Sequence, residues 1–246
     1  MKKIFDFFVA ILIIAAVGSL IYFMYQRGSA RQNRELARRI AELSPTGGPP
    51  IDEQDLRRAI ALYEDQIERN VREGAQTGVY WKILATRLSD TNQHNETLSA
   101  LERAIYYNTD DPVLYYLTGV SAANVAKSRV TSPNEREHFF KVAENAHLRA
   151  LQLDITYTRP MYALAIMYVY ELNRPQDAIV QLERYLQILP SDINAMFVLA
   201  SAYYMTRSNT RALEVLDRII DRTKDNEIKQ QAWINKDIIL SGGTYE

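Results

Sequence analysis

The sequence contains no cysteine among its 246 residues. This absence excludes disulfides, thiolate-bound zinc, iron–sulfur clusters, thiol catalysis and a lipid-modified N-terminal cysteine. The 29 Lys and Arg residues balance 30 Asp and Glu residues, so the chain lacks the basic excess with which nucleic-acid-binding proteins neutralise phosphates. With only three His and nine Gly, little is left for a metal site or a phosphate loop. We therefore expect no nucleic-acid partner, no metal and no cofactor.

A long hydrophobic run occurs once, at the N-terminus. Lys2 and Lys3 precede residues 4–25, in which Asp6 is the single charged residue. A helix of this length rises about 1.5 Å per residue and would span a hydrocarbon core of about 30 Å. The pattern predicts that residues 1–27 form a single membrane anchor.

Two properties of this anchor have alternatives. Ala16-Val17-Gly18 has the small-x-small form of a signal-peptidase site, but cleavage there would leave the apolar residues 20–25 at the new N-terminus, so we favour an uncleaved anchor. Five arginines follow the run and, by the positive-inside rule, favour a cytoplasmic body. A short Lys-rich start directly before an apolar run is instead typical of an exported signal anchor. We expect an inner-membrane protein with an extracytoplasmic body, and a cytoplasmic body is the alternative.

Residues 28–50 join the anchor to the rest of the chain. Residues 28–43 have the pattern of a polar helix, and Glu35 is spaced to pair with Arg38 and Arg39. Residues 44–50 are rich in Pro and Gly and predict a linker.

From residue 51 the hydrophobic pattern is helical to near the C-terminus, without the alternation of a strand. Helix breaks are predicted at 74–78, 91–92, 110–112, 132–133, 173–175, 190–191 and near 208. One short motif recurs along this region at steps of 34, 46 and 35 residues: Leu84-Ala85-x-x-Leu88, Thr118-Gly119-x-x-Ala122, Leu164-Ala165-x-x-Tyr168 and Leu199-Ala200-x-x-Tyr203.

The second helix of each predicted pair repeats as well. Small residues occupy one position, and the 46-residue step contains 12 additional residues at 127–138: the small residues are Thr97, Ala143, Ala178 and Ala212. A 34-residue helix–turn–helix period resembles the tetratricopeptide repeat. Its Pro after the second helix stands here as Pro190, and its aromatic residue at the fourth position as Trp81 and Tyr115, with Met196 in the last repeat.

The resemblance implies an all-α fold in which a transmembrane helix precedes an α-solenoid of tetratricopeptide-like helix pairs over residues 51–246. We expect repeats at about 78–111, 112–157, 158–192 and 193–226 and a capping helix at 227–241. In that cap, Ile228, Trp233, Ile234 and Ile238 would face inward, and Gly242-Gly243 would end the helix.

No set of residues predicts catalysis, so we expect no enzyme activity and no catalytic residues. His138 and His147 are nine residues apart, too far to share a ligand, and we expect both to be solvated or at a groove edge. Asp110 and Asp111 precede Pro112 and are expected to cap the following helix.

The resemblance also implies where a partner would bind, since in this family the first helix of each pair lines a groove. Here Lys82 is followed four residues later by Thr86, where the family's clamp for a C-terminal carboxylate has Asn, which makes that ligand improbable. An apolar segment or amphipathic helix of a partner protein fits the aromatic character better. The expected groove residues are Lys82, Thr86, Tyr116, Asn124, Arg159, Tyr162, Ile166, Tyr170, Asn194, Phe197, Ser201 and Tyr204.

The favoured function is a membrane-tethered adaptor that holds a partner protein in this groove. Bacterial proteins of this type resemble assembly factors of secretion, pilus, flagellar or other envelope machines. One alternative is a self-assembling scaffold or collar, in which Trp233 and its neighbours continue into a second copy. Another is a chaperone or accessory subunit for exported proteins. The insertion at 127–138 is expected to lengthen two helices around a polar loop, or else to form a second contact surface.

Overall fold

The computed structural model describes residues 34–39, 41–43, 53–128 and 131–242. The expected anchor at residues 1–27 and the linker at 44–50 lie outside these residues. Among the helices that are described, none is long and apolar enough to cross a membrane. The chain divides into two compact units, Met1–Glu73 and Gly74–Glu246.

The described part of the chain is helical and has no strand, which confirms the all-α prediction. In addition to the short helical segments at 34–39 and 41–43, the helices are α1 (Glu53–Asp90), α2 (His94–Tyr107), α3 (Pro112–Lys127), α4 (Pro133–Leu153), α5 (Thr158–Tyr170), α6 (Pro175–Ile188), α7 (Ile193–Met205), α8 (Asn209–Arg222) and α9 (Asn226–Ser241).

The predicted break at residues 74–78 is wrong, because α1 continues through both glycines for 38 residues. Gly78 is buried, and a Cβ there would lie 2.9 Å from the Cβ of Tyr107 and would clash with the Asn108 side chain. Glycine in a helix costs about 1 kcal/mol relative to alanine. Here that cost allows α1 to approach the end of α2 closely, so Gly78 is a packing residue and not a helix terminator.

The helices of the second unit pack as a solenoid of consecutive pairs. The small residues of the recurring motif are fully buried, with Ala85, Ala165 and Ala200 each at 0% exposure. Leucines at the matching place in the second helices, such as Leu101 and Leu182, are also fully buried. The small side chains permit close helix approach and the leucines fill the remaining space, which is the packing that the resemblance implies.

The turns explain why the helices begin and end where they do. Asp111 caps α3 by accepting a hydrogen bond from the Val113 backbone N–H at 2.9 Å, as expected from the sequence. Within three of the turns that follow a first helix, one residue adopts a positive φ: Asn92, Asn173 and Arg207. The last helix ends at Gly242 in the left-handed conformation, as predicted.

The insertion lengthens the helices of the second repeat. Helices α3 and α4 have 16 and 21 residues, against 13 and 14 in α5 and α6. Ser132 and Glu135 form a reciprocal capping box at the start of α4, with Pro133 in its first turn. The described residues therefore fit two lengthened helices, and residues 129–130 between them are not described.

The inward face of α9 differs from the prediction by one residue. Ala232, Asn235 and Ile239 are buried, whereas Trp233 is 55% exposed and Ile234 is 46% exposed. Because neighbouring positions of a helix point about 100° apart, a shift of one residue brings the large apolar side chains to the outside.

In the first unit, Glu35 accepts hydrogen bonds from Arg38 at 3.1 Å and Arg39 at 3.0 Å, as predicted. Leu36 of this short helix and Leu62 of α1 line one cavity, so the two helices lie against each other.

Candidate functional site

The expected groove residues lie on the first helix of each pair, and we call this surface the first-helix face. The structure distributes them over the C-terminal part of α1, over α3, over α5 and over α7. Their burial varies widely, because a helix face contains both outward-pointing positions and positions at its edges that contact neighbouring helices.

A cavity of about 170 Å³ opens between α3, α4 and α5. Two expected groove residues, Asn124 and Ile166, are among its lining residues. An apolar cavity of about 150 Å³ is enough to hold benzene, so this cavity can take an aromatic ring of about that size. The other lining residues are Val120, Ala123, Lys127, Phe140, His147, Ala163, Met167 and Glu171.

His147 lines this cavity but is 2% exposed, so the expectation of a solvated or groove-edge histidine is wrong. Its ring lies under Gly119, where an added Cβ would be 2.6 Å from both Nδ1 and Nε2. Nδ1 is buried without a hydrogen-bond partner. Burial lowers the pKa of His147 to about 4, so the ring is neutral near pH 7.

The sequence did contain a signal for this burial. His147 occupies the position, four residues after the small residue of the second helix, at which the other repeats have Leu101, Leu182 and Leu216. Those three leucines are 0% exposed. A histidine that replaces a core leucine is expected to be buried, and comparison of the repeats would have placed it correctly.

Three groove residues form an aromatic cluster beside His147. The Tyr116 ring centroid lies 5.8 Å from that of His147 and 5.6 Å from that of Tyr157. Burial raises the pKa of Tyr157, and Arg159 beside its hydroxyl acts in the opposite direction. Tyr116 and Arg159 were expected groove residues, whereas Tyr157, in the loop before α5, was missed.

A second cluster joins α5, α6 and α7. The ring centroids of Tyr162 and Tyr185 are 5.4 Å apart, and the Tyr185 hydroxyl donates to Asp192 Oδ2 at 2.6 Å. Burial raises the pKa of Tyr162, and the nearby Asp192 carboxylate adds to this shift. Tyr162 is therefore neutral and partly committed to packing, while Tyr170 on the same helix is 61% exposed.

Lys82 is held within the protein. Its Nζ lies 2.7 Å from Asp111 Oδ2, and the same carboxylate caps α3 through Oδ1. Thr86 donates its hydroxyl proton to the Lys82 carbonyl at 3.0 Å. These two groups therefore connect the first and second repeats and are not arranged as a free anion-binding pair.

The last repeat contributes surface unevenly. Asn194 is exposed and Phe197 and Tyr204 are half-buried, whereas Ser201 is only 9% exposed. Met205, at the end of α7, is 42% exposed. The apolar surface here consists of aromatic and thioether groups, and Ser201 contributes little to it.

Tyr168 and Tyr203 face the core of the pairs, as expected. They are 3% and 6% exposed. Each hydroxyl donates to a glutamate on a neighbouring second helix, Tyr168 to Glu144 and Tyr203 to Glu183. This arrangement recurs in the third and fourth repeats and shows that many of the tyrosines serve packing.

Within the described residues, no group of three or more His, Asp and Glu side chains is placed to hold a metal ion. The first-helix face instead offers an apolar cavity, aromatic rings and a few polar groups. Such a surface can bury part of another protein.

Comparison with known proteins agrees with this architecture. Residues 170–232 match the model of the tetratricopeptide repeat family. The match covers the end of the third repeat, the fourth repeat and the start of α9, and it supports a tetratricopeptide-repeat protein that acts as a protein-interaction scaffold. No curated protein sequence matches the chain.

A solved structure described as "Structure of Naa15/Naa10 bound to HypK-THB" is similar to the chain with a TM-score of 0.48 and 15% sequence identity. The alignment covers 87% of this chain and 29% of the other. The chain therefore spans less than a third of the length of that solved chain.

Proposed function

We propose that the protein is a membrane-tethered adaptor that holds an apolar segment of a partner protein on its first-helix face. The observation that supports this most directly is the cavity between α3, α4 and α5, which is mainly apolar and opens on the face that the repeat family uses for binding. An aromatic or branched side chain of a partner would fill it.

Exposed apolar groups extend from this cavity toward the last repeat. Tyr170 is 61% exposed and Met205 is 42% exposed, with the half-buried Phe197 on the same helix as Met205. Aromatic side chains provide a large contact area while few rotamers are frozen on binding. An amphipathic helix or extended apolar segment suits this surface better than a charged peptide tail, because Lys82 is already paired with Asp111.

We further propose that the face binds and does not catalyse. Its most strongly shifted titratable group, His147, is 2% exposed and too enclosed to reach a substrate. The tyrosines with raised pKa values, Tyr157 and Tyr162, are protonated near pH 7 and are poor bases.

The membrane tether is proposed from residues 4–25, and its value is physical. A short connection to the membrane raises the effective concentration of any membrane-bound partner, so that a weak contact suffices. An extracytoplasmic position, and a role in assembling a bacterial envelope machine, belong to the same proposal. Protection of the body from protease in intact spheroplasts, or its digestion, would decide the side.

Photo-crosslinking in the native cells tests the adaptor function. A benzophenone amino acid would replace Tyr170 on the first-helix face and, as a matched control, Tyr106 on α2, which is 74% exposed. We expect one dominant foreign protein to be captured at position 170 and not at position 106.

A second variant connects this capture to the cavity. Ala163→Phe would fill the cavity from α5 and should abolish the adduct at position 170 while the melting temperature of the purified protein stays close to that of the wild type. Equal capture at both positions, or capture that persists in Ala163→Phe, would refute binding on the first-helix face.

A further inference from the structure

The first repeat of the solenoid has an uncovered apolar face on α1. Tyr80 is 63% exposed, Ile83 is 47% exposed and Leu84 is 43% exposed. At the repeat position of Leu84, the third and fourth repeats have Leu164 and Leu199, which are 0% and 3% exposed. At the position of Tyr80, every later repeat has a buried residue: Leu114, Pro160 and Ala195.

The difference has a simple cause. In a solenoid each repeat stacks on the one before it, and that contact buries one face of its first helix. The first repeat has no preceding repeat within Gly74–Glu246, so the corresponding face of α1 is bare. Large apolar residues nevertheless occupy it, where a terminal repeat would ordinarily have polar residues.

The other end of the solenoid is also uncovered. The buried residues of α9 have the same spacing as three buried residues of α7, so α9 packs on α8 as the first helix of a further repeat would: Ala232, Asn235 and Ile239 correspond to Ala195, Val198 and Ala202.

This correspondence identifies what α9 leaves bare. Trp233 and Leu240 stand where α7 has Met196 and Tyr203, which are 0% and 6% exposed. In the complete repeat those two positions are covered by the second helix. In α9 they are 55% and 70% exposed, because no second helix follows within the described residues.

The two bare faces have opposite charges. Arg87 lies one helical turn beyond Ile83 on α1, and Asp237 lies one turn from both Trp233 and Leu240 on α9; both charged residues are exposed. Each face thus combines large apolar side chains with a single charge, and the signs are complementary.

We propose that these faces bind each other between copies of the chain, so that α9 of one copy stacks on α1 of the next. Six half-exposed large side chains, at roughly 100 Å² each, would bury roughly 600 Å² of apolar surface. Since interfaces are somewhat more than half apolar, the total would be roughly 1,000 Å², the lower end for a specific interface. Association of this kind joins two different surfaces, so it continues into an open chain or closes into a ring.

This inference does not depend on the first-helix face and extends the function in another direction. It would present several partner-binding faces in a row. Its association should be weak and dependent on concentration, which a membrane tether would strengthen.

Cysteine cross-linking tests the contact without interference, because the chain has no cysteine of its own. Full-length Ile83→Cys and Leu240→Cys would be purified separately in mild detergent and treated with a short bis-maleimide, alone and mixed. Val180→Cys serves as the control, since Val180 is 54% exposed on α6, away from both ends of the solenoid. We expect several-fold more covalent dimer in the mixture than in either variant alone or in any mixture with the control.

Two outcomes would overturn the proposal. Equal dimer from each variant alone would mean that identical faces pair, and a mixture no better than the control would mean that the faces do not meet.

Charge insertion gives an independent measurement. Ile83→Glu and Trp233→Glu each disable one exposed face, so each variant should sediment as a monomer at concentrations where the wild type forms larger species. Their mixture retains one intact pair of faces and should form dimers and nothing larger. A wild type that stays monomeric across the concentration range, or a mixture that stays monomeric while the wild type assembles, contradicts stacking of α9 on α1.

Discussion

Gly119 and His147 provide the sharpest test of how this solenoid is packed. Three repeats combine a buried alanine on the first helix with a buried leucine on the second, whereas the second repeat combines Gly119 with His147. The glycine leaves room for the imidazole ring, because a Cβ would lie 2.6 Å from two of its nitrogens. We predict that the two positions are strongly coupled.

The single substitutions should act in opposite directions. Gly119→Ala gains about 1 kcal/mol of helix propensity but overpacks a ring that cannot move outward, at a cost of about 1 to 3 kcal/mol. We expect a net loss of about 1 kcal/mol. His147→Leu removes a buried nitrogen that has no partner, a group that costs about 1 to 3 kcal/mol, and should raise the free energy of unfolding.

The double variant reproduces the alanine–leucine pair of the other repeats. In the His147→Leu background, Gly119→Ala should therefore become neutral or stabilising, which corresponds to a coupling energy of at least about 1 kcal/mol. Urea unfolding of the four proteins, followed by circular dichroism, measures it. If Gly119→Ala costs the same with leucine as with histidine at position 147, then the imidazole does not occupy the space above Gly119 and this account of the packing is wrong.

Three further predictions follow from the same structure. Because burial lowers the pKa of His147 to about 4, the unfolded chain binds a proton there between about pH 6.5 and pH 4 that the folded chain does not. Stability should therefore fall by about 2 kcal/mol from pH 7 to pH 5, and His147→Leu should remove that part of the pH dependence. Ser132→Ala removes the capping box with Glu135 at the start of α4 and should cost about 1 kcal/mol, seen as a lower melting temperature, with Thr210→Ala on exposed α8 as a control of small effect. Gly78→Ala should also lower the melting temperature, because the added methyl group meets Asn108; a stabilised variant would instead show that α1 is free to move away from α2 there.

The fold was largely accessible from the sequence because two signals agreed. The 34-residue recurrence of small residues such as Ala165 and Ala200 specified helix pairs, and breakers such as Pro190 set their limits. The one incorrect break shows the weakness of local signals. Gly74 and Gly78 predict a terminator, but contact with α2 compensates for their low propensity and α1 continues.

The candidate site was less accessible. Family positions located Tyr116 and Ile166 on the correct face, and the structure places both beside the cavity or its neighbouring aromatic cluster. They could not show that Lys82 is already paired with Asp111 or that Ser201 is nearly buried. Those outcomes depend on helix rotations of a few tens of degrees, and sequence spacing does not resolve such rotations.

The sequence by itself determined that the chain folds as stacked helix pairs, because the periods of small and large residues admit no other way to bury them. The tertiary structure decided which side chains the stacking leaves bare. Trp233 was expected inside and lies outside, while His147 was expected in solvent and lies in the core. Burial depends on which neighbouring helix covers a position, and that neighbour is distant in the sequence.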